Sequence, residues 1–358
     1  MREEAARQVR VLAVGDPFMP VSTFTSALAT LGEAVLVTEM QIENAAAPPP
    51  RTASEELLRE YAGDPANMVA AVAGHDIVVV HGAPITAEVL DAASLRLVCC
   101  ARGGPVNVDV AAATDRGIPV TNSPGKNAEA VAELTLTFAL MLIRGVPGSV
   151  RFLLSGGKHA DSAFEGGQFI GGEAASATLG LVGLGYVGRA VAVRARALGF
   201  TVLAHDPVPP DIVPAGVSLV GFDELLARSD IVSVHARASA GNQHLFGSAA
   251  FARMRRGSYF INTARESLVD EDALLAALTG GALAGAALDV VERQADGGRH
   301  PLLDLPNVVI TPHIAGATRE TLRRGAEMVV ESVGQVVAGQ EPGYLLNPDY
   351  RARKAAVS

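Results

Sequence analysis

Short runs rich in Val, Ile and Leu alternate with helical patterns from one end of this 358-residue chain to the other, and no other feature constrains its fold as much. "VRVLAVG", "AVLVTE", "DIVVVHG" and "LRLVCC" come first, separated by segments such as "STFTSALATLG" and "ITAEVLDAAS". A second series follows: "TLGLVG", "FTVLAHD", "DIVSVHA", "SYFINTA", "LAGAALDV" and "NVVITPH", again with helical patterns between. Strands joined through helices imply parallel, doubly wound sheet. The chain also exceeds what one hydrophobic core usually serves, so two α/β lobes are expected. Between the series lies "AEAVAELTLTFALMLI" (128–143). It is shorter than a bilayer span and carries Glu129 and Glu133, which favours a buried or subunit-facing helix over a transmembrane one. A last helical pattern, "RETLRRGAEMVVESVGQVVAG", is expected to return and pack on the first lobe. The stretch "AAAPPPRTASEE" (45–56) reads as a turn or flexible insertion, and no repeat of 20 to 50 residues is present.

The formal net charge is −9 and the pI about 5.4, with no long basic block. That argues against nucleic acid or an anionic membrane surface as the main partner and leaves small molecules. The only cysteines, Cys99 and Cys100, are adjacent in an apolar run and read as buried strand residues in a reducing compartment. The amino terminus has no apolar region followed by a cleavage site, so a cytoplasmic protein is the simplest expectation.

"TLGLVGLGYVGRAVAVRARALGFTVLAHD" carries the strongest motif. Gly183, Gly185 and Gly188 form G-x-G-x-x-G after a strand and before a helix, and Asp206 closes the next strand 18 residues beyond the third glycine. Such glycines allow a tight turn, close approach of a pyrophosphate to backbone N–H groups and close helix packing, and the helix N-terminus favours the negative charge. Asp206 would accept hydrogen bonds from the adenosine ribose and repel a 2′-phosphate, so NAD is expected over NADP. The acid in register disfavours a glycine turn without ligand, and the alanine-rich helix with the full second set of strands disfavours a methyltransferase, which could share a glycine-rich first turn.

Hydride transfer to a 2-oxo acid further needs a fixed cation for the carboxylate, an acid for the carbonyl oxygen and something to orient that acid. Arginine suits the first task because its planar fork pairs bidentately and stays charged. Arg265, in "FINTARESLVDEDALLAAL", falls at the C-terminal end of one expected strand, and His313, in "TPHIAGAT", at the end of another in the same lobe. Open α/β sheets bind ligands at that edge. The remaining histidines (His75, His81, His159, His205, His235, His244 and His300) show no partner constellation in the sequence, no cluster has zinc-ligand spacing, and no G-x-S-x-G elbow is present.

"VGLGYVGRA", "INTARESLVDEDALLAAL", "GAALDV", "HPLLDLPNVVITPHIAGAT" and, upstream, "PVTNSPGKNAEAVAEL" together resemble the D-isomer-specific 2-hydroxyacid dehydrogenases, closest to their phosphoglycerate dehydrogenase-like members. The resemblance runs from about residue 95 to 340, in order and spacing; the first ninety residues match only in strand and helix pattern. It implies a flavodoxin-like substrate domain, 1–124 plus 317–358, and a Rossmann NAD-binding domain, 125–316, in a homodimer joined through the 128–143 helix and its lobe. It also implies a small 2-oxo or 2-hydroxy acid of the phosphoglycerate, glycerate/hydroxypyruvate or glyoxylate type as substrate, with selectivity for it in the N-terminal lobe. Carried over, Arg265 grips the substrate carboxylate, His313 is the acid/base and Asp289 meets the nicotinamide carboxamide. Tyr186 and Val187 offer N–H groups to the pyrophosphate. Ala236, Thr263 and Gly316 line the cofactor, and the backbone at Gly103 and Gly104 meets the substrate. The carboxyl terminus leaves no expected room for an appended regulatory domain.

Three positions depart from the family. Gln294 stands where a glutamate normally partners the histidine, as it does in formate dehydrogenases of the same superfamily, and Glu292 competes for that role if the loop shifts. An amide orients the ring without adding charge, so keto-acid reduction should fall off at lower pH than in a glutamate-bearing relative. Arg102 replaces a glycine and reads either as a solvated arginine or as an extra anchor for a second carboxylate or a phosphate. Arg237 replaces a proline beside the adenine, where it either stacks on the base and loosens the NAD preference or lies idle. Two other functions remain open beside the dehydrogenase: a non-catalytic NAD(H)-responsive binding protein on the same fold, and a formate dehydrogenase-like enzyme. Retention of both Arg265 and His313 favours hydroxyacid chemistry.

Overall fold

The computed structural model describes residues 8–44, 46–158, 165–292 and 297–357. They form two compact units, one of residues 127–317 and one that combines residues up to 126 with those from 318 onward. The first unit holds five parallel strands: β1 (Val9–Gly15), β2 (Val35–Gln41), β3 (Ile77–Val80), β4 (Leu97–Cys100) and β5 (Val120–Thr121), in the order β2-β1-β3-β4-β5. Register is in phase across the centre, with Val11 opposite Ile77 and Ile77 opposite Leu97. Both faces are covered, so the strands are apolar at successive positions rather than alternating. Leu12, Val14, Val78, Val80, Val98 and Cys100 pack on one side with Met68, Val72 and Leu90. Val11, Ala13, Val79, Leu97 and Cys99 pack on the other with Phe24, Leu28, Ala326, Val329 and Val333. The last three belong to helix Arg319–Val337, which does return to this sheet, capped by the Thr318 side chain on Thr321 N–H. The two cysteines thus face opposite layers, both free and fully buried, and burial pushes their thiols up to about 12 and about 11.

The second unit is a seven-stranded parallel sheet of β6 (Thr178–Val182), β7 (Thr201–His205), β8 (Val217–Leu219), β9 (Ile231–Val234), β10 (Ser258–Asn262), β11 (Leu283–Leu288) and β12 (Val308–Ile310), in the order β12-β11-β10-β9-β6-β7-β8. Helix Ala128–Ile143 packs with helix Tyr186–Ala197 on one face, against Leu179, Leu181, Ile231 and Ile261. Val182, Val232, Val234, Phe260, Ala286 and Leu288 anchor the opposite layer. Among the described residues no single helix is long and apolar enough to cross a membrane; the pair Ala128–Ile143 and Val146–Leu154 reaches the length only together, bent by 69°.

Two expectations need correction. Residues 45–56 are not wholly irregular: Thr52 caps Glu55 N–H, and a short helix, Ala53–Leu57, follows, with Ser54 Oγ donating to Asp109 Oδ2 at 2.7 Å. Strands β5 and β8, of two and three residues, were not among the anticipated runs. Each lies at a sheet edge and takes its pairing from β4 or β7, with too few residues to show a period.

Candidate active site

The glycine turn between β6 and helix Tyr186–Ala197 assigns a different task to each glycine. Gly183 has φ +101°, and a Cβ there would lie 2.6 Å from Ala236 N and from the His235 carbonyl carbon. Gly188 meets the strand so closely that a Cβ would lie 2.1 Å from Gly183 O. Gly185, by contrast, has an ordinary φ of −70°, and a Cβ on it would meet nothing within 4 Å. The chain's own packing accounts for the first and third glycines but not for the second, which leaves the space an external group would occupy. No side chain caps this helix, so the first-turn N–H groups of Tyr186 and Val187 have no intrahelical acceptor. Tyr186 is exposed and Arg189 lies over its ring at 5.4 Å, a cation at this helix end that the sequence reading passed over.

Asp206, after β7, accepts from Leu184 N–H on Oδ2 at 2.7 Å and from Val208 N–H on Oδ1 at 2.9 Å. One carboxylate therefore fixes the glycine turn and retains a free lone-pair direction on each oxygen for ribose hydroxyls. Ala236 is half-buried beside Gly183, and Thr263 is buried with its hydroxyl 3.1 Å from that of Thr135. A Cβ on Gly316 would crowd Asn127 Nδ2 at 3.0 Å. Arg237 is exposed, and its only described hydrogen bond is the one its carbonyl accepts from Asn242. A dinucleotide fits this set: open backbone at Gly185, free N–H groups behind it, and an acid at the end of β7.

Arg265, Asp289 and His313 follow three neighbouring strands, β10, β11 and β12. Adjacent strands lie about 4.8 Å apart, so β10 and β12 are separated by about 10 Å, a gap that one arginine and a three-carbon acid can span. Asn262 closes the turn after β10: its Oδ1 accepts from Ala264 N–H at 3.0 Å and its Nδ2 donates to Arg265 O at 2.9 Å. Arg265 is half-buried in extended geometry, with Nη1 donating to Ala264 O. Asp289 is 1% exposed. Its carboxylate receives Thr311 Oγ1–H at 2.6 Å and Ile314 N–H at 2.8 Å on Oδ1, and Ala315 N–H at 2.8 Å on Oδ2. His313 N–H donates to Asp289 O at 3.0 Å, and His313 itself is held at φ +57°, a left-handed conformation that a residue adopts only when its surroundings require it. Asp289 is thus the frame of the histidine turn, with one lone-pair direction on Oδ2 left for a carboxamide. The His313 imidazole is exposed and has no hydrogen-bond partner among the described residues.

Gln294 lies outside the described residues, as does His159. Glu292 is exposed, its backbone N–H donates to Glu271 Oε1 at 2.7 Å, and no bond joins its carboxylate to His313 among the described residues. Glu271 also meets His300 Nε2 through Oε2 at 2.7 Å.

In the first unit, Arg102 is not simply solvated. Its Nη1 donates to Glu60 O at 2.7 Å and its Nη2 pairs with the Glu60 carboxylate. Gly103 O accepts from Asn122, and Gly104 has open space around it. Two of the other histidines have carboxylate partners: His300 with Glu271, and His81, whose Nδ1 lies 2.9 Å from Asp16 Oδ2. These partners stand 29 and 65 residues away in the chain, beyond any local pattern. His235 is buried with Nε2 on Ser233 Oγ, and burial lowers its pKa to about 3, so it is a neutral structural group under the glycine turn. Sequence reasoning also missed Asn262 and Thr311, short polar residues whose task shows only when their hydrogen bonds close the two turns. Among the described residues no group of His, Cys, Asp and Glu could hold a metal ion.

Residues 136–315 match the family model described as D-isomer specific 2-hydroxyacid dehydrogenase, NAD binding domain. A D-3-phosphoglycerate dehydrogenase of Archaeoglobus fulgidus is 38% identical over 289 residues, covering 80% of this chain and 52% of the relative. This chain therefore spans about half the length of that protein. A glyoxylate reductase of Korarchaeum cryptofilum is 38% identical over 269 residues, 74% of this chain and 80% of the relative. The solved structure of D-2-hydroxyisocaproate dehydrogenase superposes with a TM-score of 0.78 at 25% identity, covering 95% of this chain and all of the other.

Proposed function

The chain belongs to the D-isomer specific 2-hydroxyacid dehydrogenase family, and on that premise we propose that it reduces a small 2-oxo acid with NADH, at residues 265, 289 and 313. The observation that carries this reading is the placing of Arg265 and His313 on β10 and β12 with Asp289, on β11 between them, bonded into the histidine turn and, through its N–H, to Asn262. When bound, the nicotinamide supplies two-electron hydride chemistry. Arg265 keeps most of its donors free and binds the substrate carboxylate as a fork. His313 donates a proton to the carbonyl oxygen in reduction and recovers it in oxidation. Asp289 holds the histidine turn and presents its remaining lone pair to the carboxamide.

In this reading unit 127–317 binds the cofactor through Gly183, Gly185, Gly188 and Asp206. The exposed Leu154 and Ile170 of the cofactor unit support a homodimer contact beyond helix Ala128–Ile143. We place the enzyme in the cytoplasm, in keeping with its two free buried thiols.

The test is a panel of 2-oxo acids followed at the NADH absorbance, beside formate oxidation with NAD. Reduction of at least one 2-oxo acid, lost in Arg265→Ala, is expected. Inactivity with every acid while NADH still binds would favour a non-catalytic NAD(H)-responsive protein, and formate oxidation alone would favour a formate dehydrogenase.

A further inference from the structure

In the seven-stranded sheet the order reverses at β6, with β7 and β8 to one side and β9 to β12 to the other. Open parallel sheets bind ligands outside their carboxyl ends at such a switch point, and the glycine turn sits there. The helix that follows it, Tyr186–Ala197, begins with an aromatic ring and carries a cation one turn later. Side chains of a helix lean toward its N-terminus, so residues three apart meet on one face. The Arg189 guanidinium accordingly lies back over the Tyr186 ring, 5.4 Å from its centroid. A positive charge is thereby carried back to the first turn, whose leading residue directly follows the open backbone of Gly185.

The unit's own contacts do not account for a cation in that place. Among the described residues the Arg189 guanidinium has no hydrogen bond and no carboxylate partner, whereas Arg194, further along the same helix, pairs with Glu129. Asp206, at the end of the neighbouring strand, is bonded to the Leu184 and Val208 N–H groups and not to Arg189. No acid occupies the first turn of the helix and no side chain caps it, so the positive end of the helix dipole is unmatched. A cation at that end is unfavourable by itself, since the dipole favours anions there and cations at the far end, where Arg194 and Arg196 stand. The Tyr186 ring is 57% exposed, and a cation over an exposed ring gains little. The ring is therefore a platform for the half-buried Arg189 and not a sufficient reason for it.

We propose that Arg189, steadied by the Tyr186 ring, is the cation that binds the pyrophosphate of the cofactor, adding a charged contact to the backbone N–H groups of Tyr186 and Val187. Both phosphates of a pyrophosphate are anionic, and N–H groups with a helix dipole supply only partial charge against them. A guanidinium supplies a full charge and a planar fork that meets phosphate oxygens in pairs. With no acceptor inside the chain, its donors are available for that task. Tyr186 then acts twice, its N–H toward the phosphate and its ring beneath the cation. Asp206 governs the ribose hydroxyls, so Arg189 acts on the group that NAD and NADP share and not on the choice between them.

This inference rests on the cofactor site proposed above and not on the reductase reading, so binding is read without turnover. Dissociation constants for NADH, NADPH, ADP-ribose and adenosine are measured on the whole chain by fluorescence titration and displacement, in wild type and in Arg189→Gln. NADH and ADP-ribose are expected to bind roughly 10- to 100-fold more weakly in the variant, as loss of a charged hydrogen bond implies, and adenosine within about 2-fold of wild type. Arg189→Lys, which keeps the charge and loses the fork, should recover part of the loss, and NADH affinity should depend less on salt in Arg189→Gln than in wild type. Unchanged NADH affinity in Arg189→Gln, or an equal loss for adenosine, would overturn the proposal. So would a loss far greater for NADPH than for NADH, which would place the guanidinium at the ribose 2′-phosphate. A wild type that binds no NADH would remove the cofactor site itself, and the proposal with it. If Arg189→Gln does not fold, Tyr186→Leu, which removes the platform and keeps the backbone N–H, carries the same test with a smaller expected loss.

Discussion

At the carboxyl edge of the seven-stranded sheet, the buried polar groups described above have partners within the chain: Asp289 has three donors, Asn262 two contacts, and Thr135 and Thr263 each other. At the same edge of the five-stranded sheet the Lys126 ammonium and the Ser123 hydroxyl have none. A buried donor without an acceptor costs free energy unless something completes it. The contrast teaches that the turn carrying His313 is completed by the fold itself, whereas the turn after β5 leaves two buried polar groups open.

The sharpest way to break this comparison is at His313. His313→Gln is expected to lower kcat by about 10²- to 10⁴-fold, the usual worth of a general acid, while NADH affinity by fluorescence titration holds; an equal loss of NADH binding would place the residue in the cofactor site instead. Lys126→Met tests the unfinished edge. A pKa moved from the ordinary 10.5 to about 8 by burial means that the folded state disfavours the charge by about 3 kcal/mol at neutral pH. Because the folded pKa of this cation is depressed, the penalty is complete below about pH 8, and wild-type stability rises with pH between about 8 and 10.5 as the unfolded chain keeps its proton longer. Lys126→Met is therefore expected to be more stable than wild type in urea at pH 7, the difference vanishing above about pH 10.5. Equal stability at pH 7 would mean that the ammonium already has a partner.

Asp289→Asn tests the finished edge in the opposite sense. It places an amide donor among three hydrogen-bond donors and is expected to destabilise the chain by about 1–3 kcal/mol in urea, with kcat falling more than NADH affinity. A smaller contrast separates packing from binding within the glycine turn. Gly188→Ala collides with Gly183 O and should cost about 1–3 kcal/mol of stability, whereas Gly185→Ala meets open space and should weaken NADH binding with less loss of stability. The smallest effect is expected at Arg102→Gln. Its partner Glu60 is 42% exposed, so stability in urea should fall by no more than about 1 kcal/mol.

Much of this was legible in the sequence for definite reasons. The central strands showed themselves because a sheet covered on both faces demands unbroken apolar runs, and the glycine turn because each of its three positions has a steric requirement that few other residues meet. Edge strands β5 and β8 were not legible, since two or three residues have no period. Asn262, Thr311 and Asp16 were not legible either: a short polar side chain looks the same whether it caps a loop or aims a catalytic group. Lys126, inside "NSPGKNAEAVAEL", gave no local sign that it would be buried.

By itself the sequence determined two parallel α/β lobes, the dinucleotide fingerprint and the positions of Arg265 and His313 after two strands of one sheet, because backbone periodicity and glycine sterics are local properties that neighbouring residues express together. Only the tertiary structure decided that Asp289 would frame the histidine turn, that Asp16 would be filled by four donors, and that Lys126 would be enclosed without an acceptor. Burial and hydrogen-bond completion depend on which distant segments meet, and a carboxylate's four acceptor positions are counted only once every donor around it is in place.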